Sequence, residues 1–351
     1  MSGGVAQLVA IGAQDAHLVG NPEVSFFRSQ YKRHTNFSSV VERQVIQGNP
    51  GPSGLSTVRF ERKGDLLSYL YLTKKDNTGK IVNIGVGDVD KIELLIGGQV
   101  IDTIDSDFSA NIASTLCASS FARSQMYNTD GTSRPTFYPL LFWFCEHYQA
   151  ALPLVCLQYH DVEVRITWTA SVSSTNSYEM WAKFIYLDTQ EREDLVKTPQ
   201  MMLIYQNQKA IQSGTKTQEL NFNHPIKFLA STSNLFDSNT VSTSIRLQIN
   251  GVDIGDSKPM DPHFTRAPYY YHTDSDYAEY PEKSASQDQF LFPFCLNTNK
   301  LQPTGSLNFS RLDSVRLITD SANGFNRTAV YGVNYNILKI QNGMGGLLYA
   351  N

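Results

Sequence analysis

The sequence predicts an all-β protein made of two tandem copies of one antiparallel sandwich. Three observations carry this. Short alternating runs rich in Val, Ile, Thr, Tyr and Phe recur along the chain between Gly, Pro, Asn and Asp turns. The second half repeats the order of the first at an offset of roughly 150–160 residues, as tandem repeats do. Only 18% of residues are charged against 41% hydrophobic, which argues against a helix-rich protein faced with Lys and Glu.

The elements follow in order. Residues 1–24 read as an N-terminal arm, because Asn21-Pro22 stops any helix begun there. A basic and aromatic stretch follows, with Phe26, Phe27, Arg28, Tyr31, Lys32 and Arg33. The first sandwich is expected over 25–188, with strands at 37–47, 56–62, 65–73, 90–96, 99–104, 137–145, 154–168 and 178–187. Gly97-Gly98 is a tight hairpin turn, since primed turns need positive φ. The stretch 105–136 is small-residue-rich and reads as a long loop with a helical middle. QEREDLVKTP, within the linker 189–199, is the most charged window and suits one or two helical turns.

The second sandwich, 200–351, has strands at 201–211, 217–223, 226–233, 242–249, 252–255, 288–295, 306–318 and 328–340. Asn250-Gly251 marks its hairpin, and a long loop again follows. IELLIGGQVID matches IRLQINGVDIG, and YHDVEVRI matches RLDSVRLI. Eight strands per half with short turns fit a sandwich or jelly roll. An immunoglobulin fold is disfavoured by the long loop in the same place of each half and by the lack of a Cys…Trp…Cys core.

Chemistry is sparse. The seven histidines form no H-x-H, H-x₃-H or H-E-x-x-H pattern, so no metal site, cofactor or catalytic residue is assigned. Asp102, Asp105 and Asp107 follow a strand, but no EF-hand glycine or closing glutamate comes after, and turn-forming aspartates account for them. Cys117, Cys145, Cys156 and Cys295 read as reduced, mostly buried thiols. A net charge of −4 excludes a basic coat that grips a genome directly. No signal peptide and no transmembrane helix are expected. Phe142, Trp143 and Phe144 are consecutive and, on a strand, would point to both faces. Among the N-x-[ST] sequons, Asn326 sits in a loop and is the glycosylation candidate. The Pro268–His272 stretch with Asp274 and Asp276 is the best candidate for a lectin-like surface, the alternative function class.

Several blocks then point one way: GGVAQLVAIGAQDAHLVGNPEVSFFRSQYKRHTNF (3–37), ALPLVCLQYHDVEVRI (151–166), FIYLDTQERE (184–193), LNFNHPIKFLA (220–230), SLNFSRLDSVRLIT (306–319) and YNILKIQNGMGGLLYAN (335–351). Across its whole length the chain resembles the major capsid proteins of large nucleocytoplasmic DNA viruses, of chlorovirus and iridovirus type. A minor capsid paralogue is the nearest variant of that reading. The resemblance implies a double jelly roll and homotrimers whose six jelly rolls make a pseudo-hexagonal capsomer in an icosahedral shell. It implies neighbouring capsomers, minor capsid and penton proteins as partners, assembly in the host cytoplasm and residence in the virion, with an internal membrane reached only through minor proteins. Phe26 to Arg33 would then belong to an inner-face assembly arm. The loops are short for this family, which leaves little outer decoration.

Overall fold

A computed structural model describes residues 12–84, 87–113, 116, 136–211, 215–231, 243–274, 290–320, 325 and 329–349. Residues 1–36 and 37–351 form separate compact units.

The first half of the larger unit carries β1 (Phe37–Gln44), β2 (Ile46–Gly48), β3 (Leu55–Arg59), β4 (Leu66–Lys75), β5 (Ile81–Val82), β6 (Val89–Ile96), β7 (Gln99–Asp105), β8 (Tyr138–Pro139), β9 (Leu152–Pro153), β10 (Val162–Trp168) and β11 (Ser177–Leu187). The second half carries β12 (Gln200–Ile211), β13 (Thr217–Glu219), β14 (Pro225–Ser231), β15 (Ser244–Ile249), β16 (Val252–Pro259), β17 (Leu291–Pro293), β18 (Leu307–Asn308), β19 (Val315–Thr319), β20 (Ala329–Gln341) and β21 (Met344–Leu347).

They build four antiparallel sheets. Sheet I runs β1-β11-β4-β5 and sheet II runs β2-β3-β10-β6-β7; sheet III runs β12-β20-β14-β17 and sheet IV runs β13-β19-β15-β16. The second pair follows the strand order of the first, with four strands in sheet IV against five in sheet II. β12 stands where β1 does, β20 where β11 does, β14 where β4 does, and the β15–β16 hairpin where β6–β7 does. This is a double jelly roll.

Alternation explains the sandwich. On β11, Tyr178, Met180, Ala182 and Phe184 are buried while Glu179, Trp181 and Lys183 face outward. Their inner face meets Val164 and Ile166 of β10 and Ile92 and Leu94 of β6 in one apolar core. Each fully buried side chain of this kind contributes roughly 1.5–3 kcal/mol. In the second roll, Leu229, Ile245, Leu247, Leu317 and Val330 make the equivalent core. Both hairpins turn as the sequence requires: φ is +58° and +81° at Gly97 and Gly98, and +50° and +81° at Asn250 and Gly251. Between the rolls runs the helix Thr189–Lys197, with Glu191 in its first turn and Lys197 in its last, as the helix dipole favours.

Several segments differ from the sequence expectation. The strand read at 37–47 is two strands in two sheets, the chain crossing at the exposed Val45. The strand read at 137–145 shrinks to β8, and Trp143–Glu146 form one helical turn. Phe142, Trp143 and Phe144 therefore do not straddle a strand: all three are buried, packed on one another with ring centroids 5.2–5.8 Å apart. Residues 154–168 begin with a 3-10 turn (Leu154–Cys156) before β10. The tyrosines of 269–271 lie in a helix, Arg266–His272, and the glycine-rich C-terminal segment pairs with β20 as β21. Of the helix expected within 105–136, the part described is a π-helical turn, Phe108–Ala113; most of the rest falls outside the described residues.

Candidate assembly surfaces

The two rolls are locked edge to edge. β7, the edge of sheet II, lies against β12, the edge of sheet III. Asp102 accepts a hydrogen bond from the Asn207 backbone N–H at 3.0 Å, and Gln206 donates through Nε2 to the Ile101 carbonyl at 2.5 Å. Asp105 is the hub. Its carboxylate accepts from the Tyr331 hydroxyl at 2.8 and 2.9 Å and from the Phe108 N–H at 2.9 Å, and it pairs with Lys209 Nζ at 2.6 Å. Burial beside the Asp105 charge raises the Tyr331 pKa far above the usual phenol range, so the hydroxyl stays a donor. Behind the seam, Gln206 Oε1 accepts from Asn336 at 2.8 Å and from Asn334 at 3.3 Å, which satisfies three buried amides with one another.

This seam explains why sheet III is covered on both faces. Val330 points into the core of the second roll, whereas Tyr331, Val333 and Tyr335 join the core of the first. A recess of about 300 Å³ remains there, lined by Asp102, Trp143, Glu146, Tyr205, Lys227 and Asn299 among others. Burial pushes the carboxyls of Asp102 and Glu146 up to about 7, Lys227 opposing this at Glu146. Glu146 lines the recess and is exposed to water. Burial lowers the Lys227 pKa, and its ammonium sits 4.2 Å from the Tyr205 ring centroid.

The strands equivalent to the seam strands are bare. All eight residues of β16, the counterpart of β7, are exposed. β1, the counterpart of β12, exposes Phe37 and Val40. Tyr270 and Tyr271, on the helix that follows β16, are exposed too and meet edge to face at 4.8 Å.

The arm residues named from the sequence are all exposed. Phe26, Phe27 and Tyr31 are 93%, 98% and 88% accessible, and Arg28, Lys32 and Arg33 accompany them. Asn326 and Asp276 lie outside the described residues. In the lectin-like stretch Pro268 and Tyr269 are buried, and Asp274 accepts from Asn297 at 2.7 Å. Cys145, Cys156 and Cys295 are free thiols; Cys117 lies outside the described residues. Among the described residues no three His, Cys, Asp or Glu gather as metal ligands, and no helix is long and apolar enough to cross a membrane. The aspartates at 102 and 105 act as ties between the rolls, a role hidden in the sequence because their partners Asn207, Lys209 and Tyr331 lie about a hundred residues or more away.

Known proteins place the chain. A family model described as the major capsid protein N-terminus matches residues 25–191, and one described as large eukaryotic DNA virus major capsid protein matches residues 230–346. The major capsid protein of Pyramimonas orientalis virus is 32% identical over the full length of both chains. That of Paramecium bursaria Chlorella virus 1 is 28% identical, again over both full lengths. A quasi-atomic model of the PBCV-1 virus capsid superposes with a TM-score of 0.75 at 25% identity, covering 93% of this chain and 100% of that one. The double jelly roll, its repeated strand order and these full-length matches agree: the chain belongs to the major capsid proteins of large eukaryotic DNA viruses, and its role is structural.

Proposed function

We propose that this chain works by assembly without catalysis, as a homotrimer whose six jelly rolls form a pseudo-hexagonal capsomer. Capsomers tile an icosahedral shell with neighbouring capsomers, minor capsid proteins and penton proteins, after synthesis in the host cytoplasm. No nucleic acid is gripped directly. The observation that supports this best is the β7–β12 seam, which fixes two jelly rolls side by side as one rigid block. Three such blocks around a closed axis make a ring without a growing edge. The expected interface is large, on the order of several thousand Å². Native mass spectrometry of the purified protein should give a trimer; a stable monomer at micromolar concentration would overturn the proposal.

The functional division is an arm (1–24), a first roll (25–188), a linker (189–199) and a second roll (200–351). Residues 1–36, the arm together with the basic and aromatic stretch after it, serve the inner face of the shell. Exposed Phe26, Phe27 and Tyr31 supply apolar anchors and Arg28, Lys32 and Arg33 supply charge for minor capsid proteins. Asn326 is the glycosylation candidate on this reading, to be checked by mass mapping of the virion protein. Deleting residues 1–22 should leave trimers intact and impair particle formation; dissociated trimers would put the arm inside the capsomer instead.

A further inference from the structure

The recess between the two rolls holds a cation that none of the described residues matches. Sheet III is bulged on β14 between Ile226 and Phe228. Ile226 and Leu229 point into the core of the second roll, whereas Phe228 and Ala230 join the core of the first. The extra residue of the bulge is Lys227, and it lines the recess together with Phe228. Bulges re-aim side chains in this way and are common beside functional sites. Lys227 is 3% exposed. Its ammonium lies 4.2 Å from the Tyr205 ring centroid and 5.8 Å from that of Tyr335. Among the described residues no acceptor takes a hydrogen bond from it, and no carboxylate stands at ion-pair distance. Two aromatic faces offset part of the cost of desolvating this charge, but its three N–H donors are left without an acceptor.

The rest of the recess fits an acid with an apolar body. Leu141, Trp143, Phe228 and Val333 give it apolar walls. Two carboxyls also face it, and burial drives both toward the neutral form, raising Asp102 and Glu146 to about 7. Asp102 is tied in addition, since it accepts from the N–H groups of Thr103 and Asn207. Burial disfavours the Lys227 ammonium too, and an oxyanion seated against it restores the charged form. An amine ligand, in contrast, meets Lys227 as a like charge. The volume of about 300 Å³ is at the lower end of ligand pockets and suits a body on the order of ten heavy atoms. Exposed Glu146 and half-buried His147 and Asn299 give the recess a solvent side. We infer that this recess is a binding site for a small organic acid, one carboxylate on an apolar body, with the carboxylate on Lys227 Nζ and the body against Trp143 and Phe228. Such a ligand touches both rolls, because Trp143 belongs to the first and Lys227 and Phe228 to the second. It therefore braces the seam from within and stabilises the folded chain by mass action.

Sodium octanoate is the probe, with octylamine and 1-octanol as length-matched controls, added to the purified full chain. Calorimetric titration at pH 6 should show octanoate bound at one site per chain and octylamine not bound. Octanol should bind about tenfold more weakly or worse, the worth of a charge-assisted hydrogen bond. Octanoate should also raise the melting temperature. Lys227→Met keeps an unbranched stem and removes the buried charge. It should fold, melt no lower than the unaltered chain and lose octanoate affinity about tenfold or more. Glu146→Gln provides a second variant. The groups that face Glu146 are Asp102 of β7, Tyr205 of β12, Lys227 of β14 and the adjoining Cys145, and none of them is changed by it. At pH 8 the unaltered Glu146 is charged and repels the ligand, so Glu146→Gln should bind octanoate about threefold tighter or more at that pH. Octylamine bound as tightly as octanoate, or no octanoate bound at all, would overturn the assignment. So would full octanoate affinity in folded Lys227→Met, or an unchanged affinity in Glu146→Gln at pH 8.

Discussion

Asp105 offers the sharpest test of how the two rolls hold together. Replacing it by alanine removes the acceptor for Tyr331, the partner of Lys209 and the cap on the Phe108 N–H. Tyr331 is 2% exposed, so its hydroxyl would be left buried without this acceptor, at about 1–3 kcal/mol. The lost bond to the Phe108 N–H adds about 1 kcal/mol. Lys209 is 41% exposed and recovers water, so its share stays under about 1 kcal/mol. The sum is roughly 3 kcal/mol. At about 2.1 cal/mol/K per residue of unfolding entropy, a unit of this length should melt about 4–5 °C lower. Tyr331→Phe alone should lose less, because Asp105 keeps its other partners. In the double variant the stranded hydroxyl is gone, so the pair should show a coupling of about 1–2 kcal/mol. Calorimetry at one fixed protein concentration is the assay, since subunit association shifts the apparent melting temperature. Additive effects, or an unchanged melting temperature in Asp105→Ala, would refute the view that this carboxylate ties the rolls.

Three further predictions concern the interior. Trp143→Ala should destabilise by about 3–5 kcal/mol, since the ring is 1% exposed, and Trp143→Phe by much less, because the indole N–H has no hydrogen-bond partner; equal losses in calorimetry would contradict this. The Asp102 carboxyl is raised to about 7 by burial, so its contribution to stability is fully present below about pH 4 and is lost as the pH rises through about 7. Asp102→Asn keeps an acceptor for the N–H groups of Thr103 and Asn207, so it should stabilise by roughly 1–4 kcal/mol at pH 8 and change little at pH 4; equal urea midpoint shifts at both would refute the buried ionisation. A side chain at Gly332 would meet Phe222 at 3.1 Å and Ile226 at 3.3 Å, so Gly332→Val should lose about 1–3 kcal/mol through overpacking, read as a lower melting temperature.

The strands were legible wherever one face is buried and the other is wet. β11 alternates over Tyr178, Met180, Ala182 and Phe184, and that pattern is local. The hairpins were legible because glycine and asparagine at positive φ have few other uses. The aromatic run at 142–144 misled, since burial on every side satisfies aromatic residues in a helical turn as well as in a strand. β20 carries information of another kind. Asn334 and Asn336 are both buried, and their amides are satisfied across the sheet by Gln206. No local pattern carries that information, because it depends on which strand lies alongside. The assembly surfaces were hidden for the same reason: exposure of β16 gains meaning only beside the burial of β7.

The doubly covered sheet III also bears on how the chain is made. The first roll leaves the ribosome first and holds a nearly complete core of its own. The second roll leaves later, and Tyr331, Val333 and Tyr335 on its sheet join the apolar core of a neighbour already folded. Synthesis order thus sets folding order, with the nascent N-terminal half acting as the mould for the C-terminal one. Expressed alone, the first half should stay soluble, while the second half should present a sticky aromatic face and require a chaperone or its missing sister.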